Sequence, residues 1–441
     1  MKLKFTDVSG GVLAPRGFVG GAVFCDIKRL GTGKGSNKGA KRDLAIILSE
    51  VPATTAGMFT TNQICAAPVK VSMKRAKLGS ARAIVVNSGN ANACTSTQGM
   101  RDAEAMTALT AAQFGVRTED VLVASTGRIG VLMPMENVQR GIVAASQLVS
   151  ASSASAETIA EAIMTSDTRP KQVAIEFKLG GRNVRVAGVC KGAGMIQPGM
   201  SANGKRPAAM PLHATMLCFV TTDAAIEAKA LQSCLEQAVA QSFNRITVDG
   251  DMSTNDTVVV LANGLAENDR LTARSSELGI FQVALNHVCL ALAKMIVRDG
   301  EGVTRFVTVR VCGAKNLSDA DAAARAVANS SLVKTSWFGG DPNWGRIIDA
   351  LGYSRATVVE EKVDIGYSAP ESRGIIWSLK KGQPTNATFK DLCRAVAAKE
   401  FDLHINLNLG AASALMYAAD LTEEYVDFNK GDVSDPATLG G

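Results

Sequence analysis

Thr215 stands in the run His213-Ala214-Thr215-Met216-Leu217, and its chemistry depends on what happens to the bond before it. A threonine hydroxyl is a weak nucleophile until a base takes its proton. The sequence has only three histidines in 441 residues, so the usual base is scarce. Cleavage between Ala214 and Thr215 would supply one directly, because Thr215 would then carry a free α-amine of pKa about 8 beside its own hydroxyl. The residues alone equally allow a buried strand threonine, a common place for this β-branched side chain.

A second group of candidates lies upstream. The apolar run Val121–Ala124 ends in Ser125-Thr126-Gly127. Acyl transfer from an amide passes through a tetrahedral oxyanion, and a strand end with Thr and Gly can offer it a hydroxyl and close N–H groups. A plain glycine turn fits the same residues. Asn87–Thr95, NSGNANACT, follows another short apolar run, Ala83–Val86, and reads either as a loop presenting backbone amides or as a turn with a helix cap.

Three tempting motifs fail on their own terms. GTGKGSNKG, Gly31–Gly39, lacks the Lys-Ser/Thr ending of a phosphate-binding loop, because Gly35 follows Lys34. TVDGDMSTND holds Asp249, Asp251 and Asp256, yet Thr254 takes the glycine position of a calcium loop and Val260 the position of its bidentate glutamate. A hydrogen-bonded network around a site is the expected role, with no metal. The nine cysteines form no CxxC pair and no zinc spacing, which suits free thiols in a reducing compartment.

The stretch Lys191–Ala224 carries KGAGMIQP, then ATML, then TDA, and the chain continues with NRITVDGDMSTND, FGGDPNWGR and DLTEEYV. Together these resemble the ornithine acetyltransferase family, self-cleaving enzymes also called glutamate N-acetyltransferases. The resemblance spans most of the chain. It implies an N-terminal threonine nucleophile, Thr215, released by a cut between Ala214 and Thr215, with Thr126 and Gly127 as the oxyanion hole. It also assigns substrate binding to Thr168, Lys191, Thr215, Glu301 and Asn429. Where the family closes on a threonine, this chain has Ser434, whose hydroxyl can make the same contact. By residue type alone, Thr168 is a capping or turn threonine, Lys191 a surface lysine and Glu301 a solvated turn carboxylate.

The implied reaction moves an acetyl group from N2-acetylornithine to glutamate, in arginine biosynthesis, with no cofactor and with acetyl-CoA as a possible further donor. The implied fold is an α/β (α+β) layered sandwich of sheets and helices of the DmpA/ArgJ-like type. In it, an α chain of residues 1–214 and a β chain of residues 215–441 intertwine, two of each forming a heterotetramer. Two departures stand out: Arg128 follows Gly127 where an apolar residue is expected, and thirteen residues, Ser201–His213, separate the KGAGMIQPGM element from Ala214. Gly, Asn, Lys, Arg and two prolines mark that insertion as an exposed loop. Two other functions stay open. Water replacing glutamate would give an amidohydrolase or aminopeptidase, and failed cleavage would leave an uncut chain that only binds amino acids or a partner.

The elements that must position these residues alternate between short apolar strands and helices. Strands are expected at Ala83–Val86, Val121–Ala124, Met216–Thr222, Val258–Leu261 and around Val307, Val309 and Val311. Leu231, Leu235 and Ala238 fall at helical spacing, and so do Phe281, Leu285, Val288, Leu292 and Met295, a helix that Ser275-Ser276-Glu277 can cap. Ala145–Thr158 reads as helix and connector, IIDALG as a helix start, and FGGDPNWGR as an active-site or interface loop. Composition, 46% hydrophobic and 20% charged, is that of a globular chain with room for two domains or lobes. The net charge of +6 is spread out, arguing against nucleic acid, and the cluster Lys28, Arg29, Lys34, Lys38, Lys41 and Arg42 reads as a solvated loop. The N-terminus lacks an apolar signal core and no run approaches a membrane span, so a cytoplasmic location without membrane contact is expected.

Overall fold

Runs of Val, Ile, Leu and Ala, broken by Gly, Asn and Pro, dictate many strands and few long helices. The computed structural model describes residues 4–28, 41–205 and 216–430. In chain order the strands are β1 (Thr6–Asp7), β2 (Phe18–Val23), β3 (Leu44–Thr60), β4 (Ser80–Asn90), β5 (Val121–Arg128), β6 (Lys171–Leu179), β7 (Arg182–Lys191), β8 (Met200–Ser201), β9 (Leu217–Thr222), β10 (Ile246–Thr247) and β11 (Thr257–Ala262). There follow β12 (Phe306–Ala314), β13 (Asp364–Ser368), β14 (Ile376–Lys380), β15 (Gln383–Pro384), β16 (Glu400–Asn406) and β17 (Ala412–Ala419). The helices are α1 (Ala67–Ala76), α2 (Ser96–Phe114), α3 (Met135–Ser146), α4 (Ser153–Ala162), α5 (Ala228–Gln241), α6 (Leu278–Arg298), α7 (Leu317–Asn329), α8 (Ser331–Phe338), α9 (Trp344–Gly352), α10 (Phe389–Val396) and α11 (Glu423–Asn429).

The chain folds into two compact units. One holds the described residues up to Asn244, Asp251–Ile296 and Lys430; the other holds Arg245–Gly250 and Val297–Asn429. These boundaries do not fall at residue 214. In the first unit ten strands form one sheet, ordered β1-β6-β7-β9-β11-β3-β4-β5, with β2 and β8 also paired to β3. β4 and β5 run parallel, as do β9 and β11, and the other pairs are antiparallel.

Alternation along β3 shows how this sheet is layered. Ala45 and Ile47 join a core with Ala156 and Ile159 of α4, whereas Leu44, Ile46 and Leu48 join another with Met106 of α2 and Val138 and Ile142 of α3. Period-2 alternation thus puts helices on both faces. A 17-residue strand is not legible here from residue types, since Pro52 interrupts it; the register against β4 shifts between Leu48 and Ala53, which accommodates a residue without an N–H.

In the second unit seven strands are ordered β10-β17-β12-β16-β13-β14-β15. Val307, Val309 and Val311 of β12 are buried with Ala320, Ala324 and Val327 of α7 and Trp337 of α8. The fold is mixed α/β, layered sheet against helix, as expected.

The expected strands and helices occur, most extending a few residues further than their apolar cores, except that IIDALG closes its helix and does not start it: α9 begins at Trp344, inside FGGDPNWGR. Two further expectations need correction. α6 is 21 residues long and apolar enough to cross a membrane, contrary to the reading that no run approaches that length. It is, however, a core helix: Phe281, Leu285, Val288 and Leu292 are fully buried, and a Cβ at Gly188 of β7 would lie 2.8 Å from Leu292 Cδ1. Lys28, assigned to a solvated loop, is buried, with Nζ donating to the Arg42 carbonyl at 2.7 Å; burial lowers its pKa to about 8 against the opposing charge of Asp43.

Candidate active site

β5 and β7 end at the same chemistry. Thr126 is 1% exposed and Lys191 2%, and Lys191 Nζ donates to Thr126 Oγ1 at 3.3 Å and to Thr165 Oγ1 at 2.6 Å. The surface reading of Lys191 is therefore wrong. An ammonium that donates to a hydroxyl oxygen leaves the hydroxyl hydrogen turned elsewhere, so Thr126 keeps a donor to offer. Gly127 has φ +132°, and a Cβ there would lie 2.3 Å from Gly89 C and 2.5 Å from Asn90 N in β4. Only glycine lets the two strand ends close on each other.

Asp167 anchors the cation. Its Oδ1 accepts from Lys171 Nζ at 2.6 Å and from Gly192 N at 2.7 Å, its Oδ2 accepts from Thr165 N at 3.0 Å, and Lys191 Nζ lies 4.0 Å from Oδ2. Burial opposes its ionisation, but Lys171, Lys191 and the Gly192 N–H outweigh that penalty and hold the carboxyl far below the usual carboxylate range. A fixed negative charge beneath a buried lysine keeps the cation in place for an anionic partner.

The Asn-rich stretch supplies the frame. β4 extends through Asn90, past the expected strand, and Asn92 and Cys94 adopt positive φ in the following loop. Asn90 Nδ2 donates to the Val131 and Leu132 carbonyls at 3.0 and 3.1 Å, Asn92 Nδ2 to the Gly99 carbonyl at 2.9 Å, and Thr95 Oγ1 to Asn92 Oδ1 at 2.7 Å. Ser125 Oγ donates to Asn87 Oδ1 at 2.6 Å. Asn255, from the STND turn before β11, donates through Nδ2 to the Ala91 and Ser125 carbonyls, each at 2.7 Å. The expected hydrogen-bonded network at TVDGDMSTND is thus present, and it holds the strand end that carries Thr126.

Glu301 and Asn429 meet in the second unit, where Asn429 Nδ2 donates to Glu301 Oε2 at 2.9 Å. DLTEEYV explains why. Asp420 Oδ1 accepts from Thr304 N at 3.0 Å and Arg305 N at 3.1 Å, and Thr422 Oγ1 donates to the Gly302 carbonyl at 2.8 Å. Gly302 has φ +67°, and a Cβ there would come within 2.5 Å of Tyr425 N. The motif clamps the Glu301 turn against α11. FGGDPNWGR, expected as a loop, runs from the last residue of α8 into the first turn of α9, with only 339–343 between the helices and Asn343 Oδ1 capping α9 at Arg346 N, 3.1 Å away.

Thr168 lies at an exposed bend one residue past Asp167. Besides Thr126, the hydroxyl that receives Lys191 is that of Thr165, which the sequence did not single out, and Asp167 and Lys171 were missed with it. Asp167 and Lys171 are four apart, but Pro170 between them removes the helical spacing that would flag an ion pair. Thr215, Ala214 and Ser434 lie outside the described residues, as does most of the insertion; of that insertion Ser201 pairs with Phe59, and Ser201 Oγ donates to the Lys205 carbonyl at 2.9 Å. All nine cysteines are unpaired thiols. Among the described residues, no group of three or more His, Cys, Asp or Glu side chains is placed to hold a metal.

A buried ammonium, a hydroxyl it orients and a glycine strand end, in a mixed α/β fold, define a centre that can hold an anionic oxygen. The model of the ArgJ family matches residues 29–431, and the chain belongs to that family. The "Arginine biosynthesis bifunctional protein ArgJ" of Symbiobacterium thermophilum is 46% identical over 422 residues, 96% of this chain and 98% of the relative. The "Glutamate N-acetyltransferase" of Methanocaldococcus jannaschii is 44% identical over 428 residues, again 96% and 98%. Among solved structures, ornithine acetyltransferase complexed with ornithine, from Mycobacterium tuberculosis, is 33% identical, covers 45% of this chain and 100% of its own, and has a TM-score of 0.40.

Proposed function

We propose that this chain is an acetyltransferase of arginine biosynthesis that moves the acetyl group of N2-acetylornithine to glutamate through an acetyl-threonine at Thr215. The observation that carries the reading is the buried contact of Lys191 Nζ with Thr126 Oγ1, 3.3 Å, in a member of the ArgJ family. A cut between Ala214 and Thr215 frees the α-amine. That amine takes the Thr215 hydroxyl proton as the oxygen attacks the acetamide carbonyl. The Thr126 hydroxyl and the Gly127 N–H donate to the oxyanion, and Lys191 adds positive charge from behind the hydroxyl. As the C–N bond breaks, the amine returns its proton to the leaving ornithine nitrogen. Glutamate then attacks the ester through its amine, whose proton passes to the Thr215 α-amine and on to the departing Thr215 oxygen as the C–O bond breaks, and the same donors serve the second oxyanion.

Thr168, Lys191, Glu301, Asn429 and Ser434 are the proposed substrate contacts, with cations for α-carboxylates and carboxylates for amines. The names of the relatives support both the acetyltransferase reading and a second donor, acetyl-CoA, for which the word "bifunctional" speaks. No cofactor is required. The assembly proposed is a cytoplasmic heterotetramer of two chains 1–214 and two chains 215–441.

The test is the intact mass and denaturing gel of wild type beside Thr215→Ala, followed by acetyl transfer from acetylornithine to glutamate. Two fragments in the wild type, the second beginning at Thr215, a single chain in the variant and acetylglutamate formed only by the wild type are expected. An uncut, inactive wild type overturns the reading in favour of a binding protein, and ornithine release without acetylglutamate overturns it in favour of a hydrolase.

A further inference from the structure

Asn255 and Asp256 are neighbours in the turn before β11, and they reach in two directions. Asn255 holds Ser125, the residue before Thr126, while Asp256 Oδ1 accepts from Met216 N at 2.6 Å. Met216 directly follows Thr215 and leads into β9. Its own carbonyl accepts from Thr257 N at 3.0 Å, so the N–H and the carbonyl of Met216, at the head of β9, are held by two consecutive residues, the last of the turn and the first of β11. Asp256 is 0% exposed, and its Oδ2 is buried without a hydrogen-bond partner among the described residues. An unpaired buried oxygen is costly, and a side chain kept at that cost is a candidate for function.

We propose that Asp256 is a positioning residue for acetyl transfer, its Oδ1 fixing the N–H of Met216, the residue bonded to Thr215, while Asn255 of the same turn holds Ser125 beside Thr126. What this role demands is an acceptor oxygen at one place, not a negative charge. Burial agrees, raising the Asp256 pKa well above the usual carboxylate value despite the Met216 N–H, Lys191 and the Ser253 N–H, which favours the protonated side chain. The neutral acid carries one acceptor and one hydroxyl donor, a pattern that an asparagine amide reproduces in shape and in hydrogen bonding.

The inference rests on acetyl transfer at Thr215, and the experiment separates the two. An uncut wild type without transfer refutes the acetyltransferase reading. A cut, active wild type allows Asp256 to be judged by three variants measured for cleavage, kcat, KM and thermal midpoint. Asp256→Asn is expected to cleave and turn over within about threefold of wild type. Asp256→Ala, and Asp256→Leu, which fills the space without an acceptor, are expected to lose the cut or at least about 100-fold in kcat, with KM for acetylornithine little changed in any cut fraction, since a misplacement of about 1 Å is felt chiefly in the chemical step. Wild-type kcat in either apolar variant overturns the proposal. So does an Asp256→Asn as impaired as Asp256→Ala, which would show that the charge, not the acceptor, is needed.

Discussion

Asp167→Asn tests whether the cation at the site is held by one carboxylate. The wild-type side chain is 0% exposed, touches the 1% exposed Lys171 at 2.6 Å and faces Lys191 at 4.0 Å. With an effective dielectric constant of about 20, those two attractions come to roughly 6 and 4 kcal/mol, most of it offset by the cost of taking three charges out of water. Removing one member of such a buried cluster typically costs about 3–5 kcal/mol, because the remaining charges stay buried. The expected result is therefore an unfolding free energy lowered by that amount at pH 7, read as a lower urea midpoint with an unchanged m-value. The variant adding Lys171→Met should be less unstable than the sum of the two single changes by at least about 1 kcal/mol. The pH dependence has a defined sign. The folded-state pKa of Asp167 is lowered, so its contribution is complete above the unfolded value of about 3.9 and disappears as pH falls toward the folded value. The gap between wild type and variant should accordingly narrow below pH about 4. A gap under about 0.5 kcal/mol at pH 7, or one that stays constant down to pH 2, would refute the reasoning.

Two further expectations concern separate parts of the molecule. Asn255→Ala leaves the Ala91 and Ser125 carbonyls without their 2.7 Å donor, and denaturant unfolding should show a loss of about 2–3 kcal/mol; a loss below about 0.5 kcal/mol would mean that water replaces the amide freely. Lys334, 2% exposed and donating through Nζ to the Ala419 carbonyl, has its pKa lowered by burial to about 8, against the pull of Asp249 and Asp420. An unfolded lysine keeps its proton to about 10.4, so unfolding takes up a proton between those values and stability rises with pH from about 8 to 10, by about 3 kcal/mol in all. Comparing unfolding of wild type and Lys334→Met across that window isolates the effect, and parallel curves would rule it out.

The apolar strands of the first unit were readable because Val, Ile and Leu runs leave little choice once buried on two faces. β3 was not, since Pro52 reads as a break until the bulge beside it is seen. The same limit applies to the site. Thr126, Gly127 and Lys191 are marked by a motif, and the structure brings the first and last into contact. Asp167 and Thr165 are not, because what matters is that their loop folds under β7, a long-range fact that local spacing does not encode. Glu301 and Asn429, 128 residues apart, became a pair only through the turn that Asp420 and Thr422 hold together.

β9 and β11 also govern how the molecule is made. Both are translated after residue 215, yet they lie side by side in the sheet between β7 and β3, which are translated before it. A chain released only as far as its first two hundred residues therefore lacks the two strands that separate β7 from β3 in the finished sheet. Both strands are complete only when the chain reaches residue 262. Any cut between β8 and β9 belongs after that moment, and once made it separates two chains whose strands remain interleaved. Each piece would then leave only by tearing the other's strands out of the shared sheet, so a cut there would change the covalent structure and not the order of the strands.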